Sequence, residues 1–168
     1  MSAPRTGTAS ATDTTGTAGA TKPAKVHAPN VVHAKWLGEQ RFESGRPDGP
    51  TFRVDGTGAI AQSPVDALLS ALASCVSIDV AEILAKRRTP ASRLEVTVTG
   101  NRVETSPRRL TAIRLDFAID GDGIERAQVE RAIDLGLNKY CSVRDSLAND
   151  ILYNWSLTLN GETGAPGE

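Results

Sequence analysis

SPVDALLSALASCVSIDVAEILAKRR, residues 63–88, decides the fold, because no other long segment is as dense in apolar and small residues. Ser63 predicts an N-cap, Pro64 suits the first helical position, and Asp66 completes an S-x-x-D capping box. Apolar residues then fall on nearly every face: Val65, Leu68, Leu69, Leu72, Val76, Ile78, Val80, Ile83 and Leu84. A helix apolar all round needs cover on all sides, so it should be the buried spine of the domain. Arg87, Arg88 and Pro90 mark its end. Between the leucines stand Ala67, Ser70, Ala71, Ala73, Ser74 and Ser77, small enough to let a second backbone approach.

Strands are expected on both sides of this helix. VVHAKWL, QRFES and TFRV, separated by Gly/Pro turns at 45–50 and 55–58, and then AIAQ, read as three or four antiparallel strands. Beyond the helix, Leu94, Val96 and Val98 alternate with polar residues, as do Ile113, Leu115, Phe117 and Ile119. Each of these strands has one dry face, and Ser106-Pro107 predicts a hairpin between them. From Asp122-Gly123, the positions Val129, Ile133, Leu137 and Tyr140 predict a second helix, and Ser142 to Asp145 a short third one capped by Ser142 and carrying Leu147. Ile151 to Leu159 alternates as a closing strand. Strands, long helix, hairpin, two helices and strand make an α+β domain, antiparallel sheets around a long central helix, over residues 30–160. Residues 1–29 are too poor in large apolar groups to offset the entropy of ordering and read as a disordered tail, with residues 161–168 as a frayed end.

With 168 residues, 39% of them hydrophobic, the chain can build one real core. A net charge of −1 argues against nucleic acid or an anionic membrane as general partners. No run is read as a membrane span and no apolar leader is seen near residue 1, so the expected location is the cytoplasm. In that reducing compartment the two cysteines, Cys75 and Cys141, are core filler, metal ligands or redox groups. His27 and His33 are the only histidines and there is no C-x-x-C, so no metal is expected.

Cys75 lies well inside the long helix among Ala71, Leu72, Ile78 and Asp79, where apolar neighbours and a carboxylate both oppose a thiolate. A reactive Cys75 therefore needs a cation from elsewhere. Cys141 precedes the short third helix, whose backbone N–H groups, with Arg144, favour its thiolate. On local physics Cys141 is the more acidic of the two, and either one read alone is an ordinary buried hydrophobe.

Two stretches, S-P-V-D-A-L-L-S-A-L-A-S-C at 63–75 and Lys139-Tyr140-Cys141-Ser142-Val143, resemble the OsmC/Ohr family of thiol peroxidases, and the element order is similar from Trp36 to Leu159. The resemblance is to the less characterised OsmC-like branch. It implies an intertwined homodimer in which Cys75 is the peroxidatic and Cys141 the resolving cysteine, an organic hydroperoxide as substrate, an external dithiol as reductant and no bound cofactor. It also implies an arginine brought to Cys75 at the dimer interface, for which Arg41 is the first candidate, with Arg46 and Arg53 as rivals. The chain departs from the best-known hydroperoxide resistance members at Val65, where they carry a glutamate that holds the arginine. Asp66 lies one position on, about 100° round the helix, and reads as a cap. A non-catalytic homodimer of the same fold and a thiol redox sensor are the alternative functions.

Overall fold

The computed structural model describes residues 28–164. The expected disordered tail lies outside the described residues except at positions 28 and 29, as does the expected frayed end from 165 onward. The unit beginning at Val32 holds every regular element. In order these are β1 (His33–Gly38), β2 (Arg41–Gly45), β3 (Thr51–Asp55), α1 (Pro64–Lys86), β4 (Arg93–Arg102) and β5 (Leu110–Asp120). There follow α2 (Arg126–Leu135), a π-helical turn (Gly136–Tyr140), α3 (Ser142–Asp145), β6 (Leu152–Leu159) and β7 (Glu162–Thr163).

α1 starts as its sequence dictates. Ser63 Oγ accepts from the Asp66 N–H at 3.2 Å and Asp66 Oδ2 accepts from the Ser63 N–H at 3.0 Å, a closed capping box. Its burial is narrower than expected. Leu72, Val76, Val80 and Leu84 form one fully buried stripe, while Ile78 on another face is 59% exposed. One chain thus covers one side of a helix that is apolar all round. By length and composition α1 is also apolar enough to cross a membrane, which corrects the sequence reading that no such run exists. Its stripe is nonetheless the packing seam of the domain, set against β4, α2 and the π turn.

β4 and β5 form the expected antiparallel pair, with Val96 opposite Phe117 and Leu94 opposite Ile119. Ile113, Leu115, Phe117 and Ile119 point into the core, so the period-2 pattern of β5 was read on the right face. β6 departs from the expected antiparallel arrangement. It pairs with β5 in parallel, Ile113 with Tyr153 and Phe117 with Leu157, because the helical segment between them is long enough to return the chain to the same end of the sheet. The sheet order is β4-β5-β6-β7, and β7 pairs with β6 where a frayed end was expected from Gly161.

The other sheet is β1-β2-β3, antiparallel throughout. AIAQ does not make a fourth strand and leaves a single bridge from Gln62 to Val54. The cause is the buried Asp55 carboxylate, which accepts from the Thr57 N–H at 2.9 Å, the Thr57 hydroxyl at 2.7 Å and the Ile60 N–H at 3.1 Å. Those bonds wrap residues 57–60 around Asp55 instead of extending them. The second helix likewise starts later than Asp122, since Gly123 at φ +68° holds a turn and Glu125 is the N-cap.

Candidate active site

The site is built by the approach of the π turn to α1. A β-carbon at Gly136 would stand 3.2 Å from the Val76 carbonyl oxygen and 3.4 Å from Asp79 Cβ, so glycine allows the close contact beside Cys75. The chain then widens into a π turn in which the Cys141 N–H reaches back five residues to the Gly136 carbonyl at 2.9 Å. Cys141 leaves helical geometry at φ −70°, ψ 100° and becomes the N-cap of α3, its Sγ accepting from the Arg144 N–H at 3.3 Å. The expected cap was Ser142. A cap must stand outside the helix, and the wider π turn moves that role one residue back. Tyr140, expected on the buried face, is consequently exposed, and Leu147 lies beyond the end of α3.

The outcome is that the two cysteines meet. Both are free, Cys75 is half-buried and Cys141 is 3% exposed, and Cys75 lies close enough to bear on the ionisation of Cys141. Burial raises the Cys141 pKa above the ordinary thiol range; the Arg144 and Val143 N–H groups oppose this, while Cys75 adds to it. The expected lowering of the Cys141 pKa by the end of α3 is not met: the capping contact exists, but desolvation outweighs it. Asp79, one turn along α1 from Cys75, also has its carboxyl raised, by burial first and Glu82 second, against the pull of Lys86.

The arginines named from the sequence stand apart from the thiols within one chain. Arg41 lies on β2, ion-paired to Glu39 at 2.9 Å. With Arg53, Phe42, Leu37 and Ile60 it lines a cavity of about 210 Å³ that no cysteine borders. Arg46 sits in the turn whose carbonyl accepts from the Gly49 N–H at 3.1 Å, and Arg53 lies across from Glu43 in the β2–β3 pair. Among the described residues no hydrogen bond or ion pair joins Arg41, Arg46 or Arg53 to either cysteine. Asp66 is engaged in the cap and Val65 packs against the core.

Sequence reasoning missed Tyr153. It falls within the alternating closing strand expected from Ile151 to Leu159, and its ring carries the Arg144 guanidinium, 5.0 Å from the centroid. Arg144 Nε and the Tyr153 hydroxyl are both buried and have no hydrogen-bond partner among the described residues. The only sequence signal was a cation three residues after Cys141. A second cavity, of about 260 Å³, opens at this end of the site and is lined by Leu137, Lys139, Tyr140, Cys141, Arg144 and Asp145 among others.

This architecture is shared with solved structures. The chain is similar to an OsmC-like protein from Mycoplasma pneumoniae, with a TM-score of 0.69 and 20% identity over 80% of this chain and 99% of that one. It is also similar to the organic hydroperoxide resistance protein OhrB of Bacillus subtilis, with a TM-score of 0.54 and 13% identity over 78% and 98% of the two chains. Residues 56–156 match the family model of OsmC-like proteins, and the chain belongs to that family. A curated relative, protein YhfA of Escherichia coli strain K12, is 39% identical over 113 residues, 67% of this chain and 84% of that protein.

Proposed function

We propose that the protein is a thiol-dependent peroxidase that reduces organic hydroperoxides with Cys75 and Cys141. The observation that carries this reading is the meeting of two free thiols from elements far apart in the chain. A pair placed for packing alone has no need of a π turn to deliver one thiol to the other. Membership of the OsmC-like family, whose structural relatives include hydroperoxide resistance proteins, supports the same chemistry.

In the first step the Cys75 thiolate attacks the distal oxygen of the hydroperoxide. An S–O bond forms, the O–O bond breaks, and the alkoxide leaves and takes up a proton as the alcohol. Sulfur is oxidised by two electrons to the sulfenic acid. In the second step the Cys141 thiolate attacks that sulfur, the S–S bond forms and hydroxide leaves. An external dithiol then restores both thiols by exchange. Half-buried Val65, Leu68 and Leu69 on the same helix as Cys75 favour an apolar organic group over hydrogen peroxide. The need for a dithiol reductant suits a reducing compartment such as the cytoplasm.

The working unit in this reading is a homodimer. One chain leaves Ile78 of α1 exposed, together with Trp36, Phe52 and Ile60 on and beside the first sheet, and a second copy would cover them. The same partner supplies the cation that a half-buried Cys75 needs, and Arg41 is the group assigned to it. Arg41→Ala should slow hydroperoxide consumption by at least on the order of tenfold, and Arg41→Lys should recover part of the loss. Co-expressing Arg41→Ala with Cys75→Ser chains tests the arrangement, because mixed dimers hold one intact Cys75 and one intact Arg41 on different chains. Recovery of activity supports the assignment. Arg41→Ala at the wild-type rate, or mixed dimers as slow as Arg41→Ala alone, overturns it.

A further inference from the structure

We infer that Arg144, seated on the ring of Tyr153, is the positioning residue that supplies the counter-charge for Cys141 when this thiol attacks or leaves as thiolate. The inference rests on the peroxidase reading for its place in the cycle, although its evidence is independent of any peroxide.

Three observations lead to it. Arg144 Nε is buried without a hydrogen-bond partner among the described residues, a costly state for a charged donor. Arg93, Arg109 and Arg114 each form ion pairs at 2.6 to 3.3 Å, whereas Arg144 forms none among the described residues, although Asp145 is the next residue along. Its guanidinium is held instead over the Tyr153 ring at 5.0 Å, an arrangement that fixes the plane while leaving the N–H edge unspent. Adjacency completes the case. Arg144 donates its own backbone N–H to Cys141 Sγ at 3.3 Å, so its side chain springs from a residue bonded to the thiol. The Tyr153 hydroxyl feels both groups, pushed up by its burial and by Cys141 and held down by Arg144.

The chemistry requires such a group. Cys141 must be a thiolate to attack the sulfenic acid, and it departs as one if the reductant opens the disulfide at Cys75, yet it is buried. α3, at four residues, carries almost no dipole, so the balancing charge has to come from a side chain. The other groups facing Cys141 do not serve. Cys75 is the reaction partner, Asp145 has the wrong sign, and Lys139 is engaged with the Tyr140 ring, its Nζ 5.4 Å from the centroid. In this proposal the ionised Cys141 is the acceptor that Arg144 Nε lacks.

The test uses full-length Cys75→Ser protein, in which Cys141 is the one remaining cysteine. The rate of methylthiolation by methyl methanethiosulfonate, a reagent small enough for the bordering cavity, is followed by mass spectrometry across pH. With Arg144→Gln added, the rate–pH profile should move upward by about one unit or more, so that the rate at a fixed lower pH falls roughly tenfold. Arg144→Lys should fall between the two, having charge without the Nε donor. A change of access alone would scale the rate without moving the profile. Arg144→Gln with the parent profile overturns the inference. Should that variant not fold, Arg144→Lys with the parent profile overturns it equally. No hydroperoxide enters this assay, so a displaced profile in a protein that consumes no hydroperoxide would retire the peroxidase reading and leave the Arg144 assignment standing.

Discussion

Replacing Cys75 by serine is expected to remove hydroperoxide consumption, with a fall of at least about a thousandfold, because a serine hydroxyl on a mid-helix position has no base to ionise it and no comparable nucleophilicity. Cys141→Ser should behave differently. Its first encounter with hydroperoxide still yields Cys75 sulfenic acid, trappable by dimedone, but turnover with a dithiol stops or becomes dependent on direct attack by the reductant. The contrast between a dead enzyme and a single-turnover one is the signature of separate peroxidatic and resolving roles. Steady-state consumption assays with dimedone trapping on the two variants read it directly. If Cys75→Ser stays active and Cys141→Ser is dead, the roles are reversed. The burial that raises the Cys141 pKa argues against that outcome.

The largest stability effect is expected at Phe117. It is fully buried at the centre of β5, opposite Val96 in one neighbouring strand and Leu157 in the other. Phe117→Ala removes a ring from the middle of a three-strand row, with helices packed over it, and little can move in to fill the space. The cost should be about 3–5 kcal/mol, measured as a drop in urea midpoint at unchanged slope. A loss below about 1 kcal/mol would mean that the seam between sheet and helices is looser than its burial indicates.

Much of the fold was legible because its signals are local. The capping box at Ser63 and Asp66, the alternation from Ile113 to Ile119 and the hairpin at Ser106-Pro107 are each decided within a few residues, and each stands as read. What was illegible depends on partners distant in sequence. The parallel register of β6 on β5 follows from where the crossover returns the chain, and alternation along β6 is the same for either direction. The strand expected at AIAQ was lost to the Asp55 carboxylate, a competing set of hydrogen bonds that period-2 patterning does not see. At the site, both cysteines could be named as candidates from the sequence, but the raised pKa of Cys141 could not be read there. The dipole argument could be made from sequence, while the desolvation of Cys141 is set by α1, the π turn and the neighbouring thiol. The π turn itself carries no periodic signature beyond Gly136. Arg41, by contrast, was chosen for its sign and its strand, and one chain pairs it with Glu39.

The account stands on Cys75 and Cys141 acting as one redox couple. The most direct measurement is intact-mass and peptide mass spectrometry of the reduced protein after a stoichiometric addition of cumene hydroperoxide. The predicted result is a mass lower by the two thiol hydrogens, a linked peptide pair containing Cys75 and Cys141, and full reversal by a dithiol. An unchanged mass, or Cys75 carried to the sulfinic acid while Cys141 stays a free thiol, would contradict it.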